Sequence, residues 1–331
     1  MNAYMGVDIG TSGCKAVVFD EEGRTLSAAY REYDLVCPQS GWAELDDEAV
    51  IDKSLEVIAQ AAASACGGTV RGVGISSQGE AFTPVDAEGR ALCRAMVSSD
   101  MRAADIARTW PAEFGADRLY QITGHTAHPM FSLFKLLWLK ANRRDVWTRA
   151  AKFLCFEDLL AQRLGVDPAM GWPLAGRTML FDVRKHQWSA EILDAIGLSA
   201  DRLARPMPSG TVSGRVARGV AAKLGLSKDV AVVTGGHDQT CGALGAGATR
   251  PGVAMYAAGT VDCITPAFAR PTFAPELQAS NLCTYDHTAP NTWATVAFSL
   301  TGGNLLKWFR EEFARWEVDQ TRQTGRSPYE L

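Results

Sequence analysis

Two carboxylates sit in contexts where they could do chemistry. Asp8 interrupts the apolar run Val7-Asp8-Ile9, just ahead of Gly10-Thr11-Ser12-Gly13-Cys14-Lys15. Gly10 and Gly13 let a connecting backbone turn tightly and present its N–H groups. Those groups, the hydroxyls of Thr11 and Ser12 and the ammonium of Lys15 suit an anion such as phosphate. A carboxylate buried in a strand without a partner would be costly. A hydrated Mg²⁺ beside the phosphates would partner Asp8 through water, because Mg²⁺ keeps its waters and takes one or two carboxylates. An ordinary hairpin with a solvated turn and an edge aspartate explains the same residues, and on these alone both readings stay open. The second carboxylate, Asp238, follows the run Ala231-Val232-Val233-Thr234-Gly235-Gly236-His237 and precedes Gln239. Strand tips that lead into helix N-termini are where α/β proteins hold ligands. Read by itself, Asp238 is a plain helix N-cap.

The elements that must position these residues follow from hydrophobic periodicity. Short apolar runs at 7–9 and 16–19 predict a hairpin, and 25–33 a third strand. Asp46 or Asp47 caps a helix with Ile51, Leu55, Ile58 and Ala62 on one face, ended by Gly67-Gly68. A strand over 70–76 leads into the tip Ser77-Gln78-Gly79-Glu80. After a hairpin around 86–89, another strand ends near Val97, with Asp100 at its tip. The clearest helix spans 129–142, with Phe134, Leu137, Trp138 and Ala141 as an apolar stripe that reads as core packing. A strand edge and short helix are expected over 153–164, a helix over 188–196, a loop at 206–208 and a strand over 211–216. Small residues over 241–247 make a helix suited to close packing or a hinge. Strands at 253–258 and 262–265 flank Gly259-Thr260, repeating the strand, Gly-Thr turn and strand of the N-terminus. A last strand at 295–299 precedes Gly302-Gly303-Asn304, which opens a final helix. Strands, helix and strand in this order predict an α/β fold of mixed sheets with flanking helices.

Composition narrows the classes. With 331 residues and 47% hydrophobic content, the chain can bury a sizeable core and build two domains. The net charge of −4, from 33 basic and 37 acidic residues without a basic run, argues against nucleic acid and anionic membrane as partners. Eight scattered cysteines without a C-x-x-C pair indicate neither a zinc site nor a disulfide framework. No signal peptide or membrane-length apolar run is evident, so a soluble protein of a reducing compartment is expected.

Asp8-Ile9-Gly10-Thr11 followed by Lys15 resembles the first phosphate motif of the superfamily of sugar kinases, actin and heat-shock chaperone ATPases. Gly235-Gly236-His237-Asp238-Gln239 and Ala258-Gly259-Thr260 stand in the order and spacing of the FGGY carbohydrate kinases, which include glycerol kinase, xylulokinase, ribulokinase and gluconate kinases. Ser132, Lys135 and Trp138 resemble that family's first signature, and Arg177-Thr178-Met179-Leu180-Phe181-Asp182 the middle of its first domain.

The resemblance implies the duplicated ribonuclease H-like fold of actin-like ATPases. Residues 1–246 would form the first domain, and 247–331 an incomplete second one. It implies transfer of the γ-phosphate of ATP to an alcohol group of a small sugar or polyol, with Asp238 as the base. Asp8, Gly10, Thr11, Ser12, Lys15, Gly259, Thr260, Gly302 and Gly303 would hold ATP, with Asp8 reaching Mg²⁺ through water. Gln78, Gly79, Glu80, Asp100, Met130, Asp238 and Gln239 would face the sugar. At the tip after the 70–76 strand, glycerol kinases read Gln-Arg-Glu and xylulokinases Gln-Met-His. Gln78-Gly79-Glu80 matches neither, Ser98 stands where a Trp is frequent, and Met130 where a Tyr is common. A xylulose-like ketose is the first expectation, with a sugar acid or other polyol as alternatives. The family's adenine-binding Gly-rich motif lies beyond the matched residues, so weak ATP binding and no turnover by the 331-residue chain alone are expected. An inactive sugar-binding or regulatory relative and an ATP hydrolase are the rival readings. The resemblance further implies a cytoplasmic enzyme and allows a homodimer.

Overall fold

The computed structural model describes residues 1–258, 262–299 and 302–325. The expected phosphate turn at Gly259 and Thr260 lies outside them. Strands β1 (Asn2–Ile9), β2 (Gly13–Asp20) and β3 (Thr25–Glu32) form an antiparallel meander, followed by helix α1 (Asp47–Ser64) and strand β4 (Thr69–Ser77), which runs parallel to β1. Further on come α2 (Ser132–Asn142), α3 (Phe156–Arg163), β5 (Ala169–Gly171), β6 (Val212–Arg215), β7 (Ala231–His237) and α4 (Asp238–Gly245). The six-stranded sheet has the order β6-β7-β4-β1-β2-β3, with β7 parallel to β4 and β6 antiparallel to β7.

Alternation along β1 explains why one acidic residue is tolerated in an apolar strand. Ala3, Met5, Val7 and Ile9 are buried, while Tyr4, Gly6 and Asp8 look out from the opposite face. The buried face packs on α1, whose Asp46 side chain accepts a hydrogen bond from the Ala49 amide at 3.2 Å. Val50, Ile51, Ser54, Val57, Ile58 and Ala61 form the buried stripe of α1. Leu55 and Ala62, expected at its centre, flank it and are half-buried.

Three further expectations need correction. Helix α2 buries Leu133, Phe134, Lys135, Leu136 and Leu139, so its stripe is rotated from the predicted one. Trp138 is half-buried against Trp42 and Ala141 is exposed. The rotation arises because the Lys135 ammonium is drawn inside to carbonyl groups of Val97 (2.7 Å) and Met96 (3.2 Å). Periodicity cannot show a buried lysine. Pro206 and Met207, expected in a loop at 206–208, belong to a strand, Arg205–Met207, parallel to β5. Trp188 belongs to a short hairpin strand, and the helix starts at Ala190 under a Ser189 cap.

A second, five-stranded sheet contains β8 (Ala254–Ala258), β9 (Asp262–Phe268), β10 (Tyr285–Asp286), β11 (Trp293–Ala294) and β12 (Ala297–Ser299). Helices α5 (Gly303–Phe313) and α6 (Arg315–Thr324) follow; Gly302 precedes the first turn of α5 and Gly303 opens it. Among the described residues, no helix is long and apolar enough to cross a membrane.

Candidate active site

The parallel strands β1, β4 and β7 end in one row, since Ile9 pairs with Ser77 and Ser77 with His237. The residue after each tip opens a turn: Gly10 of the hairpin, Gln78 of the loop, and Asp238 at the first position of α4. Register alone therefore gathers three segments distant in sequence.

At the first tip, the Gly10 amide donates to Gly13 O at 2.9 Å and closes the turn. The Tyr33 hydroxyl (2.6 Å) and Gln78 Nε2 (2.8 Å) both donate to Gly10 O. Thr11 Oγ1 donates to Gln78 Oε1 at 3.2 Å. The Gln78 side chain thus braces the hairpin rather than pointing to a sugar. Asp8 and Lys15 are cross-strand partners on the open face, and the Asp8 carboxylate accepts from Ser76 Oγ at 2.8 Å. Surrounding protein raises the Asp8 carboxyl above the ordinary range, against the pull of Ser76 and Lys15.

Asp8, Ser76, Thr234, Gly235, Asp238 and Cys241 border a cleft of about 660 Å³. About a third of the Asp238 side chain (31%) is open. Burial pushes its carboxyl up to about 7, and the negative charges of Asp8 and Glu80 add to that. An acid with a pKa near neutrality suits a general base.

The tip after β4 is tightly built. Glu80 adopts φ 65° and is only 3% exposed. Its carbonyl accepts from Ser132 Oγ at 2.8 Å, and its carboxylate forms a buried ion pair with Arg177. Gly79 lies against the His237 ring: a Cβ there would sit 2.9 Å from His237 Cδ2. His237 Nδ1 hydrogen-bonds the Tyr285 hydroxyl at 3.0 Å, and its Nε2 lies 3.1 Å from Asp238 Oδ1. Gln239 Oε1 is shielded and has no hydrogen-bond partner among the described residues. Met130 borders a cavity of about 500 Å³ shared with Arg177, His125 and His128.

Asp100 is different. It is fully buried and accepts from the Ala43 amide at 2.7 Å and from Arg102 Nε at 2.9 Å. The Arg102 guanidinium stacks 3.6 Å over Trp42. That carboxylate anchors a loop and is not open to a sugar in this structure, which departs from the expected role.

Residues 3–245 match the model of the FGGY family of carbohydrate kinases, N-terminal domain. The chain belongs to the FGGY family. A xylulose kinase of Lactococcus lactis is 28% identical over 95% of this chain and 62% of its own length. A gluconokinase of Bacillus subtilis is 24% identical over 100% of this chain and 64% of its own. The ligand-bound xylulose kinase of Lactobacillus acidophilus superposes with a TM-score of 0.87 at 22% identity, covering 94% of this chain and 63% of that one. This FGGY chain thus has the actin-like ATPase fold and spans under two thirds of the length of these relatives.

The fit of a metal can be judged from the donor set. The charges of Asp8 and Glu80 add to the burial that raises the Asp238 carboxyl, yet no group of three ligands able to hold a bare ion occurs among the described residues. One open carboxylate beside a phosphate-type turn fits Mg²⁺ held through water.

Five residues of the site escaped sequence reasoning: Arg177, His125, His237, Tyr285 and Glu157. Glu157 left a signal, an acid inside the apolar run Phe156-Glu157-Asp158-Leu159-Leu160. Tyr285 left none, because it arrives from β10 of the second sheet.

Proposed function

We propose that this chain acts in transfer of the γ-phosphate of ATP to a hydroxyl of a small carbohydrate. The observation that supports the reading is the shared row of strand tips, which puts Asp238 at the same sheet edge as the hairpin of Gly10 and Thr11, with β4 between them. Asp238 would take the proton of the attacking hydroxyl. Gly10, Thr11, Ser12 and Lys15 would hold phosphate oxygens, and Gly259, Thr260, Gly302 and Gly303 would approach from the second domain. Asp8 would hold Mg²⁺ through water, and the ion, when bound, would offset phosphate charge. Phosphoryl transfer needs mainly positioning and charge neutralisation, which such turns supply.

Met130 and Gln239 would contact the sugar around Asp238, with Gln78 acting through the hairpin and the enclosed Gly79 and Glu80 acting through His237 and Arg177. A xylulose-like ketose is the favoured substrate, with a sugar acid or another polyol as alternatives. The first domain would span 1–246, and the end of the family match at residue 245 supports that division. Eight free cysteines suit a reducing, cytoplasmic setting. A coupled kinase assay across ketoses, polyols and sugar acids tests the reading. ATP hydrolysis that no carbohydrate stimulates would replace it with the hydrolase alternative.

A further inference from the structure

Resting on the kinase reading, we infer that the site selects a neutral sugar or polyol and rejects sugar acids, because the guanidinium lining its pocket is already neutralised from within the protein. Arg177 is 5% exposed, and both its Nε and Nη2 turn to the Glu80 carboxylate. Its remaining terminal nitrogen, Nη1, lies 3.2 Å from His125 Nε2. Its faces lie near the rings of Phe131 (5.0 Å) and Tyr285 (5.6 Å). No edge of the fork is left for a substrate carboxylate.

The other basic groups of the pocket offer no replacement. His125 Nδ1 lies 2.7 Å from Thr123 O, which requires a proton on Nδ1, so Nε2 carries the lone pair that Arg177 meets. That is the neutral tautomer, and burial together with Arg177 keeps it so, holding the pKa near about 3. Burial and Arg177 likewise hold His237 neutral, and burial lowers His128. The Lys135 ammonium is bound to the carbonyls of Met96 and Val97. Lys15 stands on the hairpin opposite Asp8.

The Glu80 charge is matched by Arg177, and the carboxylates of Asp238 and Asp8 border the cleft described above. Glu80 cannot swing away to release Arg177, because its backbone is held at φ 65° by Ser132 and its side chain is enclosed. An entering carboxylate would lose its water and meet no unpaired guanidinium or ammonium among the described residues that line the cavity. Hydroxyl groups would lose far less, since they can donate to carboxylate oxygens.

Calorimetry on the full chain with D-xylulose, xylitol and D-gluconate tests this. The neutral compounds should bind, and gluconate should bind on the order of a hundredfold more weakly. Glu80→Gln removes the neutralising charge while keeping the shape, so the ratio of gluconate to xylulose affinity should rise about tenfold or more. Gluconate bound as well as xylulose by the unmodified chain overturns the inference and leaves the kinase reading standing. A Glu80→Gln ratio unchanged in a protein that remains folded by circular dichroism also overturns it. Binding of neither class would sink both readings together.

Discussion

Glu157 should hold the strand that aims the base. The pairing of β7 with β4 skips a residue: Thr234 pairs with Ile75 and Gly236 with Ser76, leaving Gly235 in a bulge. A bulged amide has no ladder partner, and a buried one without an acceptor is costly. Glu157 Oε1 accepts from the Gly235 amide at 3.0 Å, and both carboxyl oxygens accept from the Gly171 amide at 3.1–3.2 Å. Ser209 Oγ donates to the Gly235 carbonyl at 2.6 Å. No side chain fits in place of these glycines: a Cβ on Gly235 would sit 2.1 Å from Ile75 O, and one on Gly171 2.6 Å from Gly235 O. Glu157→Leu would leave two buried amides unpaired, at about 1–3 kcal/mol each, so roughly 2–6 kcal/mol of stability is at stake. With an unfolding entropy of about 2.1 cal/mol/K per residue, that corresponds to a fall in Tm of about 3–9 °C. Glu157→Gln keeps Oε1 as acceptor for both amides and should cost about 1 kcal/mol.

Calorimetry and hydrogen exchange at the Gly171 and Gly235 amides measure both variants. Wild-type Tm and wild-type protection in Glu157→Leu would refute the anchoring role. The pH dependence supplies a separate check. Burial pushes the Glu157 carboxyl up to about 8, against the pull of the two amides. The folded state then keeps a proton that the unfolded chain releases near the ordinary glutamate pKa, so ν_U is less than ν_N and stability falls as pH rises between those two values. Asp158, raised in the same direction by burial and by Glu157, acts with the same sign. Glu157→Gln should therefore reduce that slope without abolishing it.

In a catalytically complete form extended past residue 331, Asp238→Asn should keep sugar affinity and lower turnover by about 10²–10⁴; a variant retaining a tenth or more of the wild-type rate would remove Asp238 from the mechanism. The kcat/KM profile should rise with pH up to a midpoint at or below about 7, as Asp238 ionises. A flat profile through that range would contradict its role as base. Thr11→Val and Asp8→Asn should raise the KM for ATP far more than that for sugar, and the reverse pattern would mean the hairpin serves the sugar. Gly79→Met should lower stability through its contact with the His237 ring, and His237→Gly should relieve much of that loss, with a coupling of about 0.5–3 kcal/mol. Additive losses in the double variant would show that the ring yields freely.

The hairpin, the helix after Asp46 and the strand leading into Asp238 were legible in the sequence because each obeys a local rule: alternation, capping, or a Gly-Gly break. Their meeting was not. Ile9, Ser77 and His237 fall in one row through parallel pairing, which links residues far apart in sequence and leaves no local pattern. The misread residues share one cause. Gln78, Asp100 and Lys135 are polar residues whose natural reading is outward, toward solvent or substrate. Each is turned inward here to hydrogen-bond backbone at irregular tips: Gly10 by Gln78, Ala43 by Asp100, and Met96 and Val97 by Lys135. Loop tips that hold ligands cannot satisfy themselves as a ladder does, so buried polar side chains must do it. A tip residue such as Gly79 then looks like a missing contact in sequence, although the His237 ring fills its place. What surrounds Asp238 follows from which partner each tip residue finds across the sheet, and composition along the chain does not contain that.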